Sequence, residues 1–387
     1  MVQRSQHSKG RKQMLRTASI KLVPSAEQAG ALAALHSAFV EGCNRMVPDV
    51  IAYRCWNRVA LHHLVYRRIR EETSLGAQMV CNAIFAVAKA YRSQKQLGKI
   101  TKEVVPRIRF DRASVHFDKR TYSLQGETLS LYTLAERIKV AMVLGDHQRR
   151  ILAGGRPKEA KLVNRQGHWF FNLVVESDTP VRRSGSLTVG VDVGENNLAA
   201  SSTGKVWGGG KLRQQRDGYL ALRRRLQSNG SESARQLLSK VSGRERRHVR
   251  HINHEVSKAI VQEAAQCGAS RISMEDLTHI RGRMRARRRV RCRLHRWAFR
   301  QLQSFVRYKG EAAGLAIYFG EPAYTSQTCS RCGALGVRRR HLFFCPLCGL
   351  RAHSDVNASR NLARMDGAIA PSRAEVNQPN VAPPWRP

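Results

Sequence analysis

Residues 324–362 read YTSQTCSRCGALGVRRRHLFFCPLCGLRAHSDVNASRNL. Two Cys-x-x-Cys pairs, Cys329/Cys332 and Cys345/Cys348, are separated by twelve residues, and each runs directly into a glycine, Gly333 and Gly349. Thiolates at that spacing share one tight turn, and two such turns close a tetrahedron round a soft divalent ion. The four cysteines are therefore candidate zinc ligands in a ribbon over 326–349. A closed four-thiolate site is structural and has no open coordination position. The chemically interesting residue stands just behind it. Asp355, in Asp-Val-Asn-Ala, opens a segment that reads as a helix. The ribbon is expected to be an insertion that delivers this acid to a site whose other members lie upstream.

Two upstream stretches supply such members. In SLTVGVDV (186–193), Leu187, Val189, Val191 and Val193 share one face of a strand, which turns Asp192 to the other. A Gly-Glu-Asn-Asn turn then leads to LAASSTGKV, the pattern of a hairpin partner. In SRISMEDL (270–277), Ile272 and Met274 face one way, and Ser273 and Glu275 the other. Helices are expected over 211–228 and 232–267, the second closed by Gly268, and LAIYFG gives a further strand. A strand acid, a second strand acid and a helical acid in this order are the arrangement of an RNase H-like nuclease core. Such a core holds two hard divalent ions across a scissile phosphate, and magnesium, which prefers oxygen ligands, suits a few carboxylates. Asp192, Glu275 and Asp355 are the candidate catalytic and magnesium-binding residues.

The first half has a different texture. Residues 15–23 alternate as a strand, Pro24 stops it, and Ser25-x-x-Gln28 has the form of a capping box. Helices are expected to Met46, over 50–70 and over 76–96. From Pro106 to Glu176, short alternating runs broken by Asp, Gly and Ser predict a β-rich, barrel-like unit. The first strand is a candidate member of that unit, which makes the helical bundle an insertion between two strands.

Composition points to the partner. The chain has 387 residues, with 68 Lys and Arg against 28 Asp and Glu, a net charge of +40. Self-repulsion on this scale calls for a polyanion, and nucleic acid is the first candidate. The densest run contains Arg283, Arg285, Arg287, Arg288, Arg289 and Arg291, with Trp297 and Phe299 interleaved. With Arg338, Arg339 and Arg340 of the ribbon, these are the candidate nucleic-acid contacts. No apolar run approaches membrane-spanning length, so no membrane partner is expected. Without a signal peptide, the paired thiols read as metal ligands in a reducing compartment. The expected location is the cytoplasm, with the nucleoid.

GVDVGENNLA at 190–199, SMEDL at 273–277 and CSRCG, CPLCG and HSDVNASRNLA within 329–363 resemble the three RuvC motifs and zinc ribbon of the TnpB family. That family is encoded by insertion sequences and is related to type V CRISPR effectors. The opening KLVPSAEQ is similar as well. The resemblance implies an α/β multidomain chain: a wedge-like β-barrel (17–35 and 101–180) with a helical recognition insertion (36–100), then an RNase H-like RuvC domain (186–325 and 350–366) carrying the ribbon. A disordered basic arm (1–16) and tail (367–387) complete it. The implied activity is RNA-guided cleavage of double-stranded DNA beside a short flanking motif, with a non-coding guide RNA as partner. Two alternatives are a miniature type V CRISPR effector and a non-cleaving RNA-guided regulator. The chain departs from the family at His353, where many relatives have a second Asp, and at Glu195.

Overall fold

A computed structural model describes residues 13–111, 113–194, 196–277, 298–320 and 326–364, and the chain divides after Asp178 into two units. In the first unit, β1 (Gln13–Val23) buries Ala18, Ile20 and Leu22 on alternate positions. It starts earlier than the alternation from residue 15 implies. Gln13 to Arg16, expected in the basic arm, are strand because they pair with residues 175–178 of the last strand in the unit. Ser25 then caps α1 (Ala26–Arg45), its hydroxyl accepting from the Gln28 N–H while the Gln28 side chain accepts from the Ser25 N–H.

The single helix expected over 50–70 is two, α2 (Val47–Ala52) and α3 (Arg58–Glu72). The chain breaks between them because Asn57 caps α3, its side-chain oxygen accepting from Val59 and Ala60 N–H, and Arg54 adopts φ 48°. With α4 (Ala77–Gln96) these helices bury Leu35, Phe39, Leu61, Val65, Met79, Val87 and Tyr91 in one cluster.

The rest of the unit is β2 (Val115–Phe117), β3 (Tyr122–Gln125), β4 (Thr128–Tyr132), β5 (Arg137–Val143), α5 (Asp146–Ala153), β6 (Arg156–Arg165) and β7 (His168–Asp178). They form an antiparallel sheet in the order β2-β6-β7-β1-β5-β4-β3. With β1 at its centre, α1 to α4 fall in the chain between two strands of this one sheet. Among the described residues the end strands β2 and β3 do not pair, so the sheet is a half-barrel.

The second unit is built on β8 (Thr188–Asp192), β9 (Asn197–Ser201), β10 (Val206–Gly208), β11 (Arg271–Glu275) and β12 (Ala316–Gly320). The sheet order is β10-β9-β8-β11-β12, with antiparallel hairpins on one side and β8, β11 and β12 parallel on the other. The parallel connections are made by α6 (Gly210–Asn229), α7 (Glu232–Gln266) and α8 (Phe299–Ala312), as parallel pairing demands a crossover. Val189, Val191, Ile272 and Met274 pack with Val256, Ile260, Leu302 and Val306 in the core. A small sheet, β13 (Val337–Arg339), β14 (Leu342–Phe344) and β15 (Arg351–His353), runs without a linker into α9 (Ser354–Arg364). Among the described residues no helix is long and apolar enough to cross a membrane.

The last helix lies directly on β8. A Cβ at Gly190 would stand 1.9 Å from the Ser359 carbonyl oxygen and 2.5 Å from the Ala363 nitrogen. Both are backbone atoms of α9, so no rotamer change relieves the clash. Gly190→Ala is expected to cost about 3 kcal/mol or more, the upper range for overpacking, read by denaturant unfolding. An unchanged midpoint would contradict this packing.

Candidate functional site

Parallel pairing of β8 and β11 sets Val191 opposite Met274. Asp192 and Glu275 each follow by one residue, so they stand side by side where the two strands end. The strand period turns them away from the buried Val191 and Met274, onto the face that α9 covers at Gly190. Asp355, buried in the first turn of α9, arrives over the same face.

Asp192 and Glu275 both respond to burial and to a neighbouring acid. Burial pushes Asp192 up to about 6, and the Asp355 charge adds to the shift, while the Arg338 guanidinium and the Val193 N–H oppose it. Burial pushes Glu275 up to about 7, with the Asp192 charge contributing. Desolvated Asp192 and Glu275, each raised further by a neighbouring acid, form a place short of positive charge. Hard oxygen donors in that condition fit a hard divalent ion such as magnesium.

Hydrogen bonds fix the members. Asp355 Oδ2 accepts from Asn197 Nδ2 at 2.9 Å, and Oδ1 accepts from Arg338 Nη2 at 3.0 Å. The Asp355 N–H faces His353 Nδ1 at 3.3 Å, and the Ser354 N–H donates to the His341 carbonyl. Gln303 Nε2 donates to the Glu275 carbonyl at 2.6 Å, which ties α8 to the end of β11.

The cysteines form a second centre. Cys329 and Cys348 sulfurs lie 3.6 Å apart, Cys332 and Cys345 3.5 Å, and all four fall within 4.8 Å of one another. A tetrahedron with metal–sulfur bonds of about 2.3 Å has edges of about 3.8 Å, so the set fits a zinc-sized ion. Gly333 and Gly349 sit at φ 80° and 70°, and their N–H groups close the two turns on the Cys329 and Cys345 carbonyls. Among the described residues this is the one group of three or more ligand side chains gathered to hold an ion. Asp192, Glu275 and Asp355 do not form such a group, and the Arg338 guanidinium lies against Asp355.

The structure gathers the four cysteines read from sequence, sets Asp192 and Glu275 at neighbouring strand ends, and brings the Asp355 charge within reach of Asp192. Arg338 lies against Asp355, while Arg339 and Arg340 are exposed on the ribbon. Arg283, Arg285, Arg287, Arg288, Arg289 and Arg291 lie outside the described residues. Sequence reasoning missed three contributors. Asn197 reads as a turn residue yet holds Asp355. Gly190 reads as one more strand residue yet admits α9. Gln303 carries no signal in the sequence.

Residues 172–281 match the OrfB family of IS605, described as a probable transposase, and residues 299–362 match the Cas12f1-like TNB domain. A TnpB-like protein of Methanocaldococcus jannaschii is 34% identical over 169 residues, which are 42% of this chain and 60% of that protein. The CRISPR-associated endodeoxyribonuclease Cas12f1 of Sulfoacidibacillus thermotolerans is 40% identical over 126 residues, 31% of this chain and 28% of that one. The chain thus spans less than two thirds of the length of either relative. A cryo-EM structure of a Cas12f1–sgRNA–target DNA complex shares the fold, with a TM-score of 0.63 over 88% of this chain and 83% of that chain at 14% identity.

The Glu275 shift has a measurable consequence. The folded state keeps a proton on Glu275 up to about 7, whereas an unfolded glutamate releases it near 4.5, so the ion-free fold loses stability as pH rises between those values. With divalent ions withheld, Glu275→Gln should raise the melting temperature at pH 7.5 and leave it nearly unchanged at pH 5. A fall at pH 7.5 in calorimetry would contradict the burial of an ionised Glu275.

Proposed function

We propose that this chain, which resembles the TnpB family and matches the related models at residues 172–281 and 299–362, is an RNA-guided DNA endonuclease that cuts double-stranded DNA beside a short flanking motif. The observation that carries the reading is the convergence of Asp192, Glu275 and Asp355 from β8, β11 and α9. The sheet order, with two acids at the ends of neighbouring parallel strands, supports a RuvC-type, RNase H-like domain. On this reading 186–325 and 350–366 are that domain and 326–349 its ribbon. Residues 17–35 and 101–180 are the wedge-like domain, and 36–100 the recognition helices.

In this reading the three carboxylates hold magnesium, as two ions. Magnesium held there would supply the Lewis-acid chemistry of phosphodiester hydrolysis, activation of water and stabilisation of the leaving oxygen. The protein supplies the rest. The strand ends fix Asp192 and Glu275, Asn197 orients Asp355, and Gln303 anchors the Glu275 backbone. Cys329, Cys332, Cys345 and Cys348 hold zinc, which braces the strands leading into Asp355. Net charge of +40 supports binding to polyanions, here a non-coding guide RNA and the target DNA. The 283–291 arginines are assigned to the backbone of guide or heteroduplex. Base pairing with the guide reads the sequence, while the protein reads duplex shape and the flanking motif. The work is done in the cytoplasm, on DNA of the nucleoid.

Asp192→Ala is expected to abolish magnesium-dependent cleavage of a guided plasmid and to leave guide-dependent DNA binding nearly intact. Cleavage assays and gel-shift titrations on the same preparation separate the two. Undiminished cutting by the variant would overturn the assignment.

A further inference from the structure

Each oxygen of Asp355 already accepts a hydrogen bond. Asn197 supplies a neutral donor to Oδ2, and Arg338 supplies a charged one to Oδ1. The Arg338 side chain is 40% exposed, whereas that of Asp355 is 13% exposed, so the guanidinium enters from the solvent side. Its Nε also donates to the Arg340 carbonyl at 3.3 Å, which aims the side chain from within its own ribbon. The Arg338 charge reaches Asp192 as well, where it opposes the effect of burial. One cationic group therefore serves the two acids that a shared divalent ion would serve.

We propose that Arg338 is a positioning residue that stands in for the cation in the free protein, so that a divalent ion must displace its guanidinium from Asp355 to bind. The inference rests on reading Asp192, Glu275 and Asp355 as metal ligands. Removing one partner of a desolvated ion pair leaves the other charge uncompensated, and an uncompensated carboxylate is a better ligand for a cation. The free chain is thereby held back from loading metal. Any anion that draws the guanidinium away raises the affinity for the ion, and the ion raises the affinity for that anion by the same factor. Phosphates of a bound strand are such anions, so loading is coupled to substrate.

The test is Mn2+ binding to the full chain without nucleic acid, followed by the electron paramagnetic resonance of free Mn2+. Arg338→Met should bind the ion about tenfold tighter than the parent, a difference of about 1.4 kcal/mol. Arg338→Lys, which keeps a charge, should stay near the parent, and this separates charge from a general loosening of the ribbon. If Arg338→Met does not fold, Arg338→Gln gives the same reading. Equal or weaker binding by the folded charge-removing variant overturns the inference. Asp192→Asn and Asp355→Asn distinguish the two levels. If they abolish binding while Arg338→Met changes nothing, the metal site stands and only the role of Arg338 falls. If they leave binding untouched, the metal site falls and the inference falls with it.

Discussion

Asp192 is buried beside one acid, Glu275, and feels the charge of another, Asp355, and the second unit is arranged around that repulsion. Asp192 and Glu275 are forced side by side by the parallel register of β8 and β11. The third acid comes from a helix laid over the same face. That approach is possible only because Gly190 has no side chain to hold α9 away. Asn197 and Arg338 then supply the donors that keep Asp355 in place. Each of these features is hard to explain alone, and each follows from the need to gather negative charge and keep it gathered.

The ribbon has a mechanical part in the same arrangement. It is tied to α9 at both ends, with no linker between β15 and the helix on one side. On the other, Asn357 Oδ1 accepts from the Ser330 N–H, while Asn357 and Asn361 side chains donate to the Thr328 carbonyl beside the first cysteine turn. The four thiols thus fix the knuckles, the knuckles fix the helix start, and the helix start fixes Asp355. The cysteine cluster and Asp355 are thus parts of one continuous piece of structure.

The facing of Asp192 and Glu275 was legible because a strand has a period of two: alternating Val residues round Asp192 and Ile272/Met274 round Glu275 placed each on the face away from the core. The ribbon was legible from spacing alone, and the Ser25 cap from its Gln28 partner. What was not legible depends on contacts between distant segments. Asn197 looks like any turn asparagine until α9 is folded over it. Arg338 is one of three consecutive arginines, and only the register of β13 decides which meets Asp355. The break between α2 and α3 needed the Asn57 cap to win over helix periodicity. His353, the departure from the family pattern, stands with its Nδ1 at the Asp355 N–H and its ring 6.0 Å from that of His341. It sits at the helix start, and the three acids are present without it.

Carboxylates and bound ions can cut a phosphodiester, but they carry no information about which one. That information has to come from a strand that pairs with the target, and a chain of charge +40 has the means to retain it. Sequencing the RNA that co-purifies with the protein therefore bears most directly on the central claim. A guided nuclease retains one defined non-coding RNA that ends in variable sequence. Recovery of only random cellular fragments would contradict it.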